Sequence, residues 1–411
     1  MSFSRLVEDA VGRLAGVAER TPVQRNPRLS AITGADVWFK REDLQVGRSY
    51  KVRGAYNTIA QLDRGSAVVT ASAGNHAQGF AHACATLGVR GTVVVPGTTP
   101  KQKRQRIAAL GGDAITLLVD GDTYDDSARV AADLAARTGA VVVPAFDALS
   151  TVAGQATVAV EFLAQLARVP DVVVLPVGGG GLLAGCATWL REHAPGTRVV
   201  GVEPAGAAGM AAALVAGEPV TLAEIDTFVD GAAVRRAGEV TFPLVRDAGV
   251  EVVAVPEGAV CTEMLDLYQV DGVIAEPAGA LAGAALASGV VTVDPGTTVL
   301  ALLSGGNNDV SRYAEVVERS LVHRGLKHYF LVEFPQEPGA LRRFLHEVLG
   351  PDDDIVLFEY QKRDNRETGA ALVGIELGAA TGLTPLLARI AAGPLRIQHL
   401  APGTTAYRFL V

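Results

Sequence analysis

The fold class this sequence predicts is an α/β region built on parallel sheet, followed by a separate α+β sandwich of the ferredoxin type. Two patterns carry that reading. Up to about Arg319, short Val-rich runs alternate with longer stretches in which Ala and Leu recur at helical spacing. Continuous apolar strands separated by helices mark a parallel sheet covered on both faces. Beyond Arg319 the order becomes β-α-β-β-α-β, the order of a ferredoxin-like sandwich, over ~85 residues that suit a small domain of their own. Composition agrees: 411 residues exceed one ordinary core, 49% are hydrophobic and only 5% are aromatic, which favours layered sheet and helix.

The chain opens with Arg5, Glu8, Asp9 and Arg13 set among Leu6, Val7, Ala10, Val11 and Leu14. An amphipathic helix is expected there, not a signal peptide. Strands are expected at 67–70, 92–95, 114–118, 141–143, 172–177, 199–202, 250–255 and 298–302. Between them, helices are expected at 75–87, 102–110, 124–137, 152–166, 182–192 and 262–270. In the last stretch the strands are 329–334, 355–361, 370–377 and 406–411, and the helices 339–349 and 383–391. The domains are therefore expected at 1–319 and 328–411, with 320–327 as a polar connector.

Several function classes fall away. A formal net charge of −8 argues against nucleic acid or an anionic membrane as partner. No apolar run reaches the ~18 residues of a membrane span, so a cytoplasmic protein is expected. Cys84, Cys186 and Cys261 lie far apart in apolar surroundings and read as reduced core thiols, not as a disulfide frame or a zinc site.

Four stretches carry chemistry. In the first, a charged loop, Lys40-Arg41-Glu42-Asp43-Leu44-Gln45, runs through Ser49-Tyr50-Lys51 into a helical pattern of Val52, Ala55, Tyr56, Ile59 and Ala60. Lys51 therefore stands at the positive end of a helix dipole, where its amine loses a proton more readily and becomes a nucleophile toward aldehydes. In the second, Ser72-Ala73-Gly74-Asn75-His76 follows an apolar strand and opens a helix. Ser72 and Asn75 can cap that helix, and its first amides can hold a carboxylate. His76 by itself reads more readily as a packed histidine than as a base.

The third stretch, Gly178-Gly179-Gly180-Gly181-Leu182, follows the strand 172–177 and also opens a helix. Four glycines let the backbone approach a phosphate and aim several N–H groups at it. The same residues, extended to Ala184, fit the dinucleotide fingerprint G-x-G-x-x-G/A, with Glu203 where a ribose-binding acid would stand. By that motif alone the chain could be an NAD-dependent oxidoreductase, and the alternative stays open here. In the fourth, Leu303-Ser304-Gly305-Gly306-Asn307, a serine ends a strand with its hydroxyl placed to meet a ring nitrogen or to cap a helix.

In this order the four stretches resemble the fold-type II pyridoxal-phosphate enzymes, which share the tryptophan synthase β-like architecture of two open α/β subdomains. Among these, they resemble the biosynthetic threonine ammonia-lyases (threonine dehydratases) with a single ACT-like domain. Phe334-Pro335-Gln336-Glu337-Pro338-Gly339-Ala340-Leu341 looks like the start of that domain. The resemblance implies pyridoxal 5'-phosphate as cofactor, L-threonine as substrate and 2-oxobutanoate with ammonia as products, as the first step toward isoleucine. It implies isoleucine as feedback effector, with valine as a second effector, and a homotetramer or homodimer.

It also assigns roles. Lys51 would hold the cofactor as a Schiff base beside Tyr50 and then remove the Cα proton. Asn75 would bond the ring hydroxyl, and Ser72, Ala73, Gly74, Asn75 and His76 the substrate carboxylate, which makes Lys51, Ser72 and Asn75 the catalytic set. Gly178, Gly179, Gly180, Gly181 and Leu182 would cradle the phosphate, and Ser304 would face the ring nitrogen. No metal site is expected, because the family's acidic residue six positions after Glu203 is Gly209 here. Two further departures stand out: Tyr50 where the family has Phe, and Asp147-Ala148-Leu149 where it has Asp-Asp. A catabolic serine/threonine dehydratase or a serine racemase would share the cofactor, and a non-catalytic amino-acid sensor would use only the last domain.

Overall fold

The structure is a computed structural model that describes residues 2–360 and 367–410. Its chain forms two compact units, Met1–Val310 and Ser311–Val411. The first holds two sheets. The larger runs Val23–Arg25, Asp36–Arg41, Thr298–Leu303, Val172–Pro176, Arg198–Pro204, Glu251–Val255, all parallel except the first pair. The smaller is wholly parallel, in the order Ile115–Val119, Gly91–Val95, Val68–Ala71, Val141–Val142. Both are doubly covered, as the apolar runs require: Val172, Val173, Val174 and Leu175 are at most 6% exposed. None of the three cysteines is in a disulfide, and all are buried.

One strand of the larger sheet, Asp36–Arg41, lies outside the apolar pattern because it ends in charge. Lys40 is nevertheless fully buried, its ammonium donating to Glu161 at 2.7 Å and to Thr21 O at 2.6 Å. Beside it, Arg53 meets Glu42 through two nitrogens (2.8 and 2.9 Å) and Glu161 through two more contacts (2.7 and 2.9 Å). Burial opposes ionisation of Glu42, but the charge and hydrogen bonds of Arg53, the charge of Lys40 and the hydroxyl of Thr21 together outweigh it and hold the carboxyl below its ordinary range. These two cations and two carboxylates tie the helix Lys51–Ile59 to the helix Leu149–Gln165 and to the strand before it. Arg53→Ala would strand Glu42, which is 0% exposed. The expected loss is ~3–5 kcal/mol, read as a lower denaturant midpoint at unchanged slope.

The second unit is a four-stranded antiparallel sheet, in the order Asp354–Tyr360, Thr368–Glu376, Lys327–Pro335, Arg396–Leu400. The helices Ala340–Glu347 and Leu383–Ala392 complete the β-α-β-β-α-β order. One expectation is overturned. The last strand is Arg396–Leu400, paired with Tyr329–Glu333, and Thr405–Leu410 is a helix instead of the strand expected at 406–411. Arg-Ile-Gln-His-Leu alternates polar and apolar as a half-covered edge strand does, whereas a short apolar run carries no period that separates strand from helix. Val411, like Gln361 at the end of an expected strand, lies outside the described residues.

Candidate active site

The helix of Lys51 begins at Lys51 itself, with Tyr50 as N-cap and no side chain capping it. The loop that feeds it is strained: Arg48 has φ +52°, the only non-glycine positive φ among the described residues. That loop is pinned by backbone bonds to the end of strand Thr298–Leu303, Gly306 N donating to Arg48 O (2.9 Å) and Tyr50 N to Ser304 O (3.2 Å). The Lys51 amine donates to Ala145 O at 3.0 Å. Burial lowers it to about 8, with the charge of Glu276 opposing. The Tyr50 ring lies 5.5 Å from that amine, and burial raises its phenol, so the hydroxyl stays protonated.

Next comes the helix Asn75–Leu87, whose N-cap is Gly74. Ser72 and Asn75 do not cap it. The Ser72 hydroxyl accepts from Gly74 N (3.3 Å) within the turn, and Asn75 turns sideways. Its Nδ2 donates to Glu276 Oε1 (2.5 Å), and its Oδ1 accepts from Asn307 Nδ2 (2.6 Å). The expected cap is lost because these two long-range partners claim the side chain. The first backbone donor of the helix with an acceptor is Gln78, to Gly74 O at 3.2 Å. The amides of Asn75, His76 and Ala77 therefore have no backbone partner among the described residues, as at any helix start. His76 is a packed residue: Nε2 donates to Val143 O at 3.0 Å, and burial with the Lys51 charge pushes its pKa down to about 3. Its buried Nδ1 has no partner.

The glycine quartet follows Val172–Pro176 and opens the helix Gly181–His193, with Gly180 as N-cap at φ +92°. A Cβ on Gly179 would run into the ring of Phe146, and one on Gly181 would lie 3.0 Å from Phe146 O. One on Gly178 would lie 3.0 Å from the backbone of Ala232. Here the glycines admit neighbouring chain where a side chain would stand, and the amides of Gly178, Gly179, Gly180 and Gly181 have no backbone acceptor among the described residues. The first amide of this helix with a backbone acceptor is Ala184, to Gly180 O at 2.8 Å. Leu182 is 2% exposed and anchors the turn in the core. Thr241 Oγ1 donates to Gly179 O at 2.6 Å.

Glu203 is committed elsewhere. Its two oxygens accept from Met210 N (2.7 Å) and Ala211 N (2.9 Å), so it holds the start of the helix Gly209–Ala216 and offers nothing to a ribose. Burial raises its carboxyl to about 7, against those amides. Asp147, in the stretch that departs from the family, accepts from Glu239 N and Val240 N (3.0 and 2.8 Å) and so holds the loop before the helix Thr241–Ala248. Among the described residues no group of three or more His, Cys, Asp or Glu side chains is placed to hold a metal.

Ser304 is 2% exposed, with its hydroxyl donating to Ala278 O at 3.2 Å. The structure thus brings all four stretches together. Ala145 and Phe146 link Lys51 to the glycine turn, the backbone of Ser304 meets Tyr50, and Asn75 joins the strand end through Asn307. Sequence reading missed Glu276 and gave Asn307 no role of its own within the fourth stretch; they lie 201 and 232 residues from their common partner, Asn75. It also missed Phe146 as the floor of the glycine turn. The Glu276-Pro277 step that opens the helix Pro277–Ala287 was the one local signal.

The second unit carries its own groove, half open and about 560 Å³, lined among others by Phe334, Glu337, Leu341, Arg342, Leu345 and Phe358. It combines apolar side chains with a cation and a carboxylate.

Comparison with known proteins gives one picture. Residues 14–305 match the family described as pyridoxal-phosphate dependent enzyme, and residues 318–410 the C-terminal regulatory domain of threonine dehydratase. L-threonine dehydratase biosynthetic IlvA of Mycobacterium tuberculosis is 61% identical over 410 residues, covering 98% of this chain and 95% of that one. The Bacillus subtilis protein of the same name is 46% identical over 398 residues, covering 96% and 94%. Among solved structures, the processed form of threonine deaminase isoform 2 from Solanum lycopersicum is 37% identical at a TM-score of 0.72, covering 77% of this chain and 93% of that one. Maize serine racemase is 30% identical at 0.71, covering 78% and 98%. The dinucleotide alternative falls with these matches and with the engaged Glu203. No helix among the described residues is long and apolar enough to cross a membrane.

Proposed function

The chain belongs to the biosynthetic L-threonine dehydratase branch of the pyridoxal-phosphate dependent enzymes, and from that premise we propose that it converts L-threonine to 2-oxobutanoate and ammonia in isoleucine biosynthesis. The observation that carries the proposal is a part-buried lysine amine, lowered to about 8, set between two helix starts with open amides and a serine hydroxyl. The residues fit the cofactor. Gly178, Gly179, Gly180, Gly181 and Leu182 would hold its phosphate through backbone N–H groups, the N-terminal end of the helix dipole adding to the attraction. Asn75 would donate to its ring hydroxyl, Tyr50 would flank it, and Ser304 would exchange a long bond to Ala278 O for one to the ring nitrogen.

Pyridoxal phosphate, when bound, supplies an aldehyde that joins covalently to amines and a ring that draws electrons from the substrate Cα. The chain does the rest. Lys51, with an amine that is easily neutral, holds the aldehyde at rest and takes the Cα proton in turnover. Ser72, Ala73, Gly74, Asn75 and His76 hold the substrate carboxylate through the helix-start amides, without an arginine. Ser304 is a neutral partner for the ring nitrogen and does not fix a proton there, which keeps the electron sink weak and favours loss of the β-hydroxyl over racemisation. Gly178, Gly179, Gly180, Gly181 and Leu182 carry no charge of their own, so they would hold the phosphate through backbone N–H groups alone, and a phosphate held in that way would supply an acid for the departing hydroxyl.

Catalysis is assigned to residues 1–319 and regulation to 328–411, joined by 320–327. The groove of the second unit suits a small apolar amino acid: Phe334, Leu341, Leu345 and Phe358 for the side chain, Arg342 and Glu337 for the charged ends. Isoleucine is the effector proposed, with valine as its competitor. The serine racemase reading shares the catalytic fold but leaves the regulatory domain unexplained.

The test is ketoacid formation by purified protein from L-threonine and from L-serine, with and without isoleucine. The expected result is faster turnover of threonine, lowered by isoleucine. No ketoacid from either amino acid would overturn the catalytic reading. Threonine turnover indifferent to isoleucine would overturn the regulatory one.

A further inference from the structure

We infer that Glu276 is a positioning residue of this site, acting with Asn307 to fix which end of the Asn75 amide faces the cofactor; the inference rests on the reading above. The amide of an asparagine has a donor end and an acceptor end of the same shape, and neighbours decide between them. Here the decision starts from a backbone carbonyl. Gly47 O can only accept, so the Asn307 atom 2.8 Å from it is Nδ2. The same Nδ2 donates at 2.6 Å to Asn75, which must present Oδ1. The other end of Asn75, Nδ2, then donates to Glu276 Oε1 at 2.5 Å. One N–H of Asn75 is thereby spent, and the second has no acceptor among the described residues, which leaves it for the ring oxygen.

Glu276 has no evident structural duty that explains it. It is the N-cap of the helix Pro277–Ala287 but makes no side-chain cap bond there. A carboxyl that is 4% exposed is costly to keep unless something uses it. The fold makes room for it: a Cβ on Gly305 would collide with Glu276 Oε1, and Gly305 O accepts Glu276 N at 3.2 Å. The charged groups that bear on it are Lys51 and the ion pair of Lys103 with Asp230 (2.6 Å). Burial raises its carboxyl to about 7, so it works as an acceptor whether or not it is ionised. What Asn75 needs from this position is an acceptor oxygen, not a charge.

The experiment compares Glu276→Ala, Glu276→Gln and Asn307→Asp with the parent, using pyridoxal phosphate titrated by its visible absorbance, ketoacid kinetics and the melting point of the cofactor-free proteins. Glu276→Ala should weaken cofactor affinity about tenfold or more, the scale of one hydrogen bond to a charged group. Glu276→Gln, which keeps an acceptor oxygen, should recover affinity to within about threefold of the parent. Asn307→Asp removes the donor that orients Asn75 and should match Glu276→Ala, so the inference survives if one variant fails to fold. Parent-like affinity in both Glu276→Ala and Asn307→Asp would overturn it, as would a Gln variant as weak as the Ala one. A parent protein that binds no pyridoxal phosphate would instead overturn the functional reading, and this inference with it.

Discussion

Lys51→Ala should cut turnover of L-threonine by on the order of 10⁴-fold, because it removes both the covalent anchor for the cofactor and the group that takes the Cα proton. The variant should still fold. The sign follows from the amine itself. Its pKa in the folded chain is about 8, against an ordinary 10.5, with burial as the first cause. Below pH 8 the amine is protonated in both states, and the folded state bears the cost of a desolvated charge. Between about 8 and 10.5 the unfolded chain binds more protons than the folded one, so this residue's contribution to stability rises with pH across that window. Alanine removes the burden. The cofactor-free variant should therefore be at least as stable as the parent at pH 7, and the difference should shrink as pH passes from 8 to 10.5. Chemical denaturation at several pH values reads the second effect and ketoacid formation the first. Near-parental turnover would remove Lys51 from the mechanism, and a large loss of stability at pH 7 would mean that its contact with Ala145 O matters more to the fold than its desolvation does.

The parts of this site that were legible in the sequence are those whose geometry is local. Lys51, the Ser72–His76 turn, the glycine quartet and Ser304 each sit where a strand or loop enters a helix or ends, and such junctions show in the spacing of apolar residues and glycines. What spacing does not show is which side chain meets which across the chain. Asn75 looked like a cap because asparagine at a helix start usually caps. It became the centre of a relay because Glu276 and Asn307 reach it from two other segments. Glu203 sat where a dinucleotide acid would be, but amides seven and eight residues on had already taken it. The strand Asp36–Arg41 failed the apolar test for a related reason. Its Lys40 can be a core residue because part-buried Glu161 and the carbonyl of Thr21 meet its ammonium, at 2.7 and 2.6 Å, pairings that no local window contains.

The glycine turn offers the sharpest separation of packing from chemistry. Gly179→Ala should weaken binding of pyridoxal phosphate by roughly 100-fold, as expected when two hydrogen bonds to a charged group are lost at about tenfold each. The three atoms nearest an added methyl are all ring atoms of Phe146, a flat wall rather than a flexible chain end. Phe146 cannot retreat freely, because its own backbone lies against Gly181 and the carbonyl before it accepts from Lys51. Either the turn moves and its amides lose their aim, or Phe146 moves and disturbs the lysine. Overpacking of this kind also costs ~1–3 kcal/mol of stability, so a melting curve of the cofactor-free protein is the companion measurement. Gly196→Ala is the control: nothing lies within 4 Å of its added methyl, and affinity and melting point should both stay near the parent's. A Gly179→Ala protein that is destabilised yet binds the cofactor like the parent would mean that the quartet serves packing alone, and that the phosphate is held by some other set of amides.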